Sequence, residues 1–290
     1  MFRRSLVVVA LLTVALVAVS LSAAAAHRGG RAHRGKAYPQ RIVSLSPTVT
    51  EDLYAIGAGK QVVAVDQDSD YPRRAPRTAL SGLDPNVEAI ATYHPDLVVI
   101  SYGGAFVHQL EQLGIRVVDE PAAKSVLGAY QEIKQLGRMT GHVRRARALV
   151  RSMARRLRAI VRSVPESRRH LRVYHELDPT YYSATSQTFI GRIYGLFGFR
   201  NIADRADTAH TGYPQLSAEY ILQANPQIIV LADSRCCGQT PAKVAARPGW
   251  KTIAAVKDHR VIRVNDDIAS RWGPRIVDFA AAVARVARRR

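Results

Sequence analysis

Two glutamates in matching sequence contexts are the first candidates for a functional pair. The segment NVEAIATYHPDLVVIS (86–101) is echoed by SAEYILQANPQIIVLAD (217–233), and Glu88 and Glu219 occupy the same place in each. In both copies an isoleucine follows two residues later and a proline seven residues later. A carboxylate early in a helix interacts favourably with the helix dipole, which would explain either glutamate alone. Their identical position in both copies favours a shared role.

The chain has two cysteines, and they are neighbours in DSRCCGQTP, Cys236 and Cys237. Two cysteines in a protein outside the cytosol usually pair. Adjacent cysteines that do so close an eight-membered ring with altered peptide geometry. The sequence predicts a vicinal disulfide that stiffens this loop, with free thiols as the alternative and contact with a ligand as a further one.

No enzyme motif is complete in the sequence. YHELD at 174–178 begins like the zinc-protease motif H-E-x-x-H, but Pro179 stands where the second histidine is required. GAGKQV at 57–62 has neither the third glycine of a dinucleotide loop nor the spacing of a phosphate loop. A G-x-S-x-G elbow is also missing, and we expect the scattered His94 and His108 to face solvent or a polar neighbour. We therefore predict neither catalysis nor a metal site.

Positive charge is concentrated in one predicted helix. The net charge is +19, and residues 143–170 contain ten arginines against the single acid Glu166. Helical periodicity places six of the arginines on one face, opposite an apolar face: 144, 147, 151, 155, 158 and 162. The N-terminal segment has the features of an export signal, and an exported protein meets little nucleic acid. We therefore favour a solvated basic surface, able to face anionic lipid, over a nucleic-acid site.

The N-terminus has the features of an export signal. Arg3 and Arg4 precede an apolar run, Ser5 to Ser22, and the alanines at 24–26 provide a cleavage site. The run is long enough for an uncleaved membrane anchor to be the alternative. No cysteine stands directly after this run, so a lipid anchor is not predicted. We expect residues 1–26 to be a signal peptide or anchor and residues 27–40, basic and glycine-rich, to be a flexible tether.

The remaining chain alternates predicted strands and helices. RIVSL (41–45) and QVVAVD (61–66) are expected strands, and each echoed segment provides a short helix, a proline stop and a buried strand. Thr48 and Glu51 have the spacing of a capping box at a helix start. Further helices or strands are expected in FVHQLEQLGIRVV, LRVYHE, SQTFIGRIYGLFG, GWKTIAAVKDHRVIRV and WGPRIVDFAAAVARVARRR. This alternation is typical of α/β folds with mainly parallel sheets.

The alternation is interrupted once, by a long helical pattern that divides the chain. We predict an N-terminal α/β lobe at 41–122, one long bridging helix at 123–165, interrupted only near Gly137 and Gly141, and a C-terminal α/β lobe at 166–290 that ends in a helix. Two lobes joined by a rigid helix would hold a ligand in the cleft between them.

Three motifs and their order resemble a known family. RIVSLSPTVTEDLYAIGAGKQVVAVDQDSDYP, SGLDPNVEAIATYHPDLVVIS and LEQLGIRVV, followed by the long helix, are similar to the cobalamin- and ferric-siderophore-binding proteins of ABC importers, also called helical-backbone metal receptors. The resemblance runs from about Arg41 to the C-terminal helix. It implies a two-lobe receptor whose partner is an ABC permease, without separating cobalamin from siderophore or haem.

The resemblance also implies a role for the echoed glutamates. In this family a glutamate on the exposed end of each lobe docks into arginine pockets of the permease, and the matching positions are Glu88 and Glu219. A bidentate carboxylate–arginine contact is strong and directional, and one contact on each lobe would let the permease draw the lobes apart.

By family position, residues that follow strand ends at the mouth of the cleft should contact the ligand: Asp68, Leu83, Ser101, Tyr102, Tyr182, Tyr213, Arg271 and Trp272. Tyrosine and tryptophan offer broad apolar faces with a polar tip, and Arg271 could meet an anionic substituent. Asp68, Leu83 and Ser101 fall where the cobalamin-binding member has aromatic residues, which argues against cobalamin itself. For each tyrosine, an ordinary half-buried loop position is the alternative.

The function implied is capture of a bulky iron or cobalt chelate (ferric siderophore, cobalamin or haem) outside the cytoplasmic membrane and its delivery to a permease. We expect a monomer without a cofactor of its own and without a nucleic-acid partner, in the periplasm or on the outer face of the membrane. The alternative is a catalytic or chelatase-like protein on related lobes. A receptor for free metal is disfavoured because its usual histidine-rich ligand set is missing.

Overall fold

The computed structural model describes residues 38–289. The predicted signal or anchor and nearly all of the predicted tether lie outside the described residues. Within them, one parallel sheet has the strand order β2-β1-β3-β4. Its strands are β1 (Ile42–Leu45), β2 (Val62–Val65), β3 (Leu97–Ile100) and β4 (Val117–Asp119).

A second parallel sheet repeats this topology with the order β6-β5-β7-β8. Its strands are β5 (Arg172–Glu176), β6 (Arg200–Asn201), β7 (Ile228–Leu231) and β8 (Val261–Arg263). The echoed segments supply β3 and β7, which take the same place in the two sheets and are fully buried. The predicted α/β class, with two lobes of parallel strands, is therefore confirmed.

Helices cover and connect the sheets. Along the described chain they are α1 (Pro47–Ala55), α2 (Val87–Ala91), α3 (Ala105–Gln112), α4 (Val126–Met139), α5 (Val143–Arg162), α6 (Phe189–Gly195), α7 (Ala218–Ala224), α8 (Pro241–Ala245), α9 (Ala254–Lys257), α10 (Asp266–Ser270) and α11 (Ile276–Ala287). None of them is both long and apolar enough to cross a membrane. The short β6, α8 and α10 were not predicted.

The single long helix predicted for 123–165 is wrong: the chain forms two helices, α4 and α5, that pack against each other. Gly141 lies between them with a φ of +82°, a conformation that glycine adopts without steric cost. At the contact, a Cβ placed on Gly137 would come within 2.4 Å of the Ala146 side chain. The small residues therefore let the two helices approach closely.

Of the two helices α4 and α5, only α5 has buried side chains in both cores. Its first half places Ala146, Val150 and Met153 in the core of the first lobe, and Leu157 lies in the core of the second. The C-terminal helix α11 also contributes to both cores, since Ile276 packs in the first lobe although the predicted boundary assigned it to the second. Burial against two cores holds α5 in place along its length.

The capping box predicted at Thr48 and Glu51 is also wrong. The N-cap of α1 is Ser46, whose side chain accepts a hydrogen bond from the amide of Val49, and Pro47 is the first helical residue. A proline is well suited to this position because its fixed φ matches the helix and its missing N–H would have no intrahelical partner. Glu51 is thereby free for the long-range contacts described below.

Candidate ligand cleft and docking surface

The carboxyl ends of β1, β2 and β3 open into a small cavity between the lobes. It has a volume of about 240 Å3 and is lined by Leu45, Ser46, Pro47, Thr48, Asp66, Asp68, Gly82, Leu83, Ser101, Tyr102, Ser270, Arg271 and Trp272. Six residues expected at the ligand are thus brought together: Asp68, Leu83, Ser101, Tyr102, Arg271 and Trp272. Carboxyl ends of parallel strands are the usual place for ligand sites in open α/β sheets.

Large apolar side chains stand exposed around this cavity. Leu83 is 78% exposed and Tyr102 is 58% exposed. Tyr71 does not line the cavity, but it is about half exposed and follows Asp70, a partner of Arg271. Exposed apolar groups that cluster beside a cleft mark an interaction site rather than ordinary surface. Tyr71 was not predicted as a site residue, and its ring lies under the guanidinium of Arg275, 4.2 Å from the centroid.

Tyr182 and Tyr213 do not line the cavity. Both belong to the second lobe and are partly exposed, and Tyr182 is held in an antiparallel bridge with Gln215. Burial, with a smaller contribution from Tyr102, raises the pKa of Tyr213. Tyr102 of the first lobe therefore lies within electrostatic reach of Tyr213 of the second lobe.

Arg271 is held by carboxylates from both lobes. Its Nη1 donates to Oε1 of Glu51 and to Oδ1 of Asp70, both at 3.0 Å. Its Nη2 donates to Asp267 at 3.0 Å and to the carbonyl of Asp68 at 2.9 Å. The expected contact with an anionic ligand stays a prediction, because three carboxylates already balance this charge.

Two further arginines complete an interlobe network with Arg271. Arg275 donates from Nε to Oε2 of Glu51 at 2.8 Å and forms a second bond to Oε1. Arg235 pairs with Asp267 and lies 3.6 Å from Asp70. Burial opposes ionisation of Asp70, but Arg271, with Arg235 and Arg275, holds its pKa below the ordinary value.

Three buried carboxyl groups lie in the first lobe behind this network. The indole Nε1 of Trp272 donates to Oε2 of Glu132 at 2.8 Å, and Gln135 donates to Glu120 at 2.7 Å. Burial, with repulsion from Glu120, raises the pKa of Glu132 to about 8. Burial, with repulsion first from Glu132, raises the pKa of Asp52 as well. These groups hold protons in the folded protein at pH values where an exposed carboxyl would be ionised.

We expect the stability to fall as the pH rises towards 8. Between the ordinary glutamate pKa of 4.5 and about 8, the folded protein retains a proton on Glu132 that the unfolded chain has lost. The Glu132→Gln variant keeps an acceptor for Trp272. Its free energy of unfolding should decrease less between about pH 6.5 and 8 than that of the unaltered protein. Urea unfolding at the two pH values gives the free energy of unfolding of both proteins. An equal decrease in the two proteins would contradict the prediction. His175, with a pKa lowered by burial to about 3, contributes equally to both proteins and so does not affect the comparison.

The echoed glutamates occupy equivalent points of the two lobes. Glu88 is the second residue of α2 and Glu219 the second residue of α7, and both are exposed. The N-caps match as well: Asn86 accepts a hydrogen bond from Ala89 at 2.7 Å, and Ser217 accepts one from Tyr220 at 3.1 Å. Neither glutamate forms an ion pair with any residue the structure describes.

An arginine at the start of β1 and another at the start of β5 are separated by the same number of residues as the two glutamates. Arg41 and Arg172 are 131 residues apart, as are Glu88 and Glu219. Arg41 donates to the carbonyls of Tyr93 and His94 just after α2, and Arg172 to those of Ala224 and Asn225 at the end of α7. Each guanidinium thus ties the C-terminal end of a glutamate-bearing helix to the first strand of its sheet.

Arg172→Ala is expected to loosen the end of α7. Hydrogen bonds from a charged donor contribute about 1.5–3 kcal/mol each, and helix carbonyls favour a nearby cation. Amide exchange in residues 221–225 should become at least about tenfold faster. Arg200→Ala is the control, since Arg200 is exposed on the adjacent strand and donates no side-chain hydrogen bond to a described residue. Equal protection of these amides from exchange in both variants would refute the role assigned to Arg172.

The cysteine loop lies beside the interlobe network. Cys236 and Cys237 are joined in a vicinal disulfide. The backbone N–H groups of Ser234, Arg235 and Cys236 all donate to the carboxylate of Asp266 at the start of α10. Three successive backbone amides thus bind one carboxylate, as in backbone anion sites. These hydrogen bonds anchor the loop that carries Arg235 to α10.

The incomplete enzyme motif and the scattered histidines have structural positions. His175 is buried and bonded to Tyr194 at 2.6 Å, and Glu176 forms a buried bidentate pair with Arg247. His108 contacts Gln112, a polar neighbour as expected, and His94 is exposed. Among residues 38–289, no group of three His, Cys, Asp or Glu side chains could hold a metal ion.

The chain is similar to known binding proteins over most of its length. A family model described as periplasmic binding protein matches residues 42–268. An uncharacterized ABC transporter substrate-binding lipoprotein, YvrC, of Bacillus subtilis strain 168 is 32% identical over 86% of this chain and 80% of its own. A cobalamin-binding protein of Halobacterium salinarum is 33% identical over 85% of this chain and 69% of its own.

Solved structures show the same fold. The periplasmic haem-binding protein HutB of Vibrio cholerae matches with a TM-score of 0.75 and 23% identity, over 86% of this chain and 99% of its own. These relatives are binding proteins, so the catalytic alternative finds no support. With its two parallel-sheet lobes and the cleft between them, the chain belongs to the periplasmic binding protein family, the extracytoplasmic solute receptors of ABC importers.

Proposed function

We propose that the protein captures a bulky iron or cobalt chelate (a ferric siderophore, cobalamin or haem) between its lobes and delivers it to an ABC permease. The observation that carries this proposal is the set of large side chains exposed at the cleft, with Leu83 and Tyr102 in the first lobe and Tyr213, whose pKa is raised in part by Tyr102, in the second. Broad tyrosine faces suit a flat or aromatic chelate better than a free ion.

The cavity itself supports a large, partly exposed ligand. Its volume of about 240 Å3 lies below the roughly 300–1,000 Å3 of sites that enclose a drug-sized ligand. A chelate of corrin or porphyrin size would therefore insert an edge and rest most of its surface on the tyrosines. The name of the Halobacterium relative favours cobalamin, whereas Asp68, Leu83 and Ser101 in the cavity wall favour a more polar chelate.

Delivery would use Glu88 and Glu219 as paired contacts for arginines of the permease. Their equal positions on the two lobes, their exposure and their lack of ion pairs with described residues support this role. The receptor acts as a monomer, because two contacts from one chain suffice to engage both halves of a permease. The N-terminal apolar segment either directs export or tethers the receptor to the outer face of the membrane.

Titration with cobalamin, haem and several ferric siderophores, followed by tyrosine and tryptophan fluorescence, tests the proposal. We expect saturable binding of one chelate without turnover. The Tyr102→Ala/Tyr213→Ala variant should bind it at least about tenfold more weakly, since each lost aromatic contact costs about 0.5–1.5 kcal/mol beyond its buried area. The Leu113→Ala variant, which changes an exposed apolar residue just after α3, should bind normally. Failure of every chelate to bind would overturn the proposal.

A further inference from the structure

The exposed side of α5 is a continuous cationic surface, here called the arginine face: Arg144, Arg147, Arg151, Arg155, Arg158 and Arg162. At about 100° per residue these side chains fall within roughly 80° of the helix circumference, and they span roughly 27 Å along it. All six are exposed, and none forms an ion pair with a described residue. The opposite side of α5 is buried through Ala146, Val150, Met153 and Leu157.

The arginine face continues into a groove between α4 and α5, here called the cationic groove. The groove has a volume of about 380 Å3 and is lined by Lys134, Arg138, Val143, Arg147, Val150 and Arg151. Four cations and two apolar residues line it, and no acidic side chain does. A concave site with this lining has the charge and shape to accept an anionic group, and guanidinium groups bind phosphate oxygens in a bidentate manner.

The arginine face is unfavourable for the helix itself. Arg147 and Arg151, Arg151 and Arg155, and Arg158 and Arg162 are like-charge pairs four residues apart, a spacing that destabilises a helix. Ordinary solvated helices relieve such repulsion by alternating charges. Here burial of the apolar side offsets the repulsion. The repulsion would be relieved by an extended anionic surface placed against the arginines.

We propose that the arginine face and the cationic groove bind the phosphate headgroups of an anionic phospholipid membrane. A row of about 27 Å is longer than a small anion needs and matches a flat surface. The family function places the protein beside a membrane that holds its permease, and exported proteins meet little nucleic acid. Because the apolar side of α5 is buried in both lobes, nothing is left to insert into the lipid. The attraction is therefore electrostatic and falls steeply with ionic strength.

Cosedimentation of the full chain with vesicles tests this proposal. Vesicles of phosphatidylglycerol and phosphatidylcholine are compared with vesicles of phosphatidylcholine alone, which report any capture by the N-terminal apolar segment. The groove variant is Lys134→Gln/Arg147→Gln/Arg151→Gln. Its matched control, Lys124→Gln/Arg116→Gln/Arg192→Gln, removes the same charges from exposed sites elsewhere. Each cation near an anionic surface contributes roughly fivefold in binding, so the groove variant should bind about 100-fold more weakly.

The outcomes are distinct. Binding to anionic vesicles that the groove variant loses, the control retains and high salt abolishes supports the proposal. Equal losses in both variants would show an effect of net charge alone. Full competition by glycerol phosphate at millimolar concentration would show a site for small anions, and tight binding of double-stranded DNA without vesicle binding would show a nucleic-acid surface. Each of these three results overturns the proposal. Chelate binding, measured separately, reports on the cleft.

Discussion

Reversal of both docking charges, Glu88→Arg with Glu219→Arg, is expected to abolish chelate uptake in cells while the purified receptor still binds its ligand. Each glutamate is the second residue of a capped helix, exposed, and unpaired with any described residue. If each meets a permease arginine, replacement removes a charge-assisted contact of about 1.5–3 kcal/mol and adds repulsion. Two such losses lower permease affinity by at least about 100-fold. Each single variant should show an intermediate defect.

Glu111→Arg/Glu166→Arg is the matched control for this experiment. It makes the same change of net charge at two exposed glutamates, one in each lobe, and should leave uptake unchanged. Circular dichroism and chelate titration check that both double variants are folded and bind ligand. Normal uptake by the folded Glu88→Arg/Glu219→Arg variant would contradict the docking assignment. It would not contradict the proposed ligand site.

Glu51→Gln is expected to destabilise the folded protein by about 3–5 kcal/mol, the usual cost of breaking a buried ion pair from one side. The carboxylate of Glu51 is 1% exposed, and its partners Arg271 and Arg275 are 10% and 14% exposed. Neutral glutamine leaves two largely buried guanidinium groups short of a counter-charge. The loss should lie near the lower end of this range, because Glu51 also raises the pKa of Asp52 and so adds to the cost of keeping that carboxyl protonated in the folded protein.

The control for Glu51→Gln is Asp278→Asn. Asp278 pairs with Arg156 at the surface, where both side chains are more than half exposed, and such a pair contributes only about 0–1 kcal/mol. Urea midpoints of the two variants measure the contrast. A loss below about 1 kcal/mol for Glu51→Gln would show that Asp70 and Asp267 suffice to neutralise both arginines.

Much of the fold could be predicted because its determinants are local. The runs Leu97–Ile100 and Ile228–Leu231 form β3 and β7 as expected, since β-branched residues bounded by a proline stop favour a buried parallel strand. The predictions failed where two local patterns compete. Thr48 and Glu51 have capping-box spacing, but Ser46 followed by proline is the better helix start.

The break between α4 and α5 shows a different limit. Helical periodicity continues across residues 123–165 because both helices need an apolar side. A glycine in the sequence does not by itself indicate whether the helix bends or the chain reverses direction. The reversal depends on the close contact of Gly137 with Ala146, which is visible only in three dimensions. For the same reason the sequence predicted one bridging helix where the chain forms two, of which only α5 has buried side chains in both cores.

By itself, the sequence determined the repeated α/β lobes, the matched glutamates 131 residues apart and the basic side of α5, because strand runs, helix periodicity and charge pattern act over a few neighbouring residues. Only the tertiary structure decided the partners of Glu51, since Arg271 and Arg275 follow it by 220 and 224 residues. Local sequence patterns do not indicate which charged residues, far apart in sequence, become buried together in the folded protein. That pairing depends on how α1, α10 and α11 meet where the two lobes are joined.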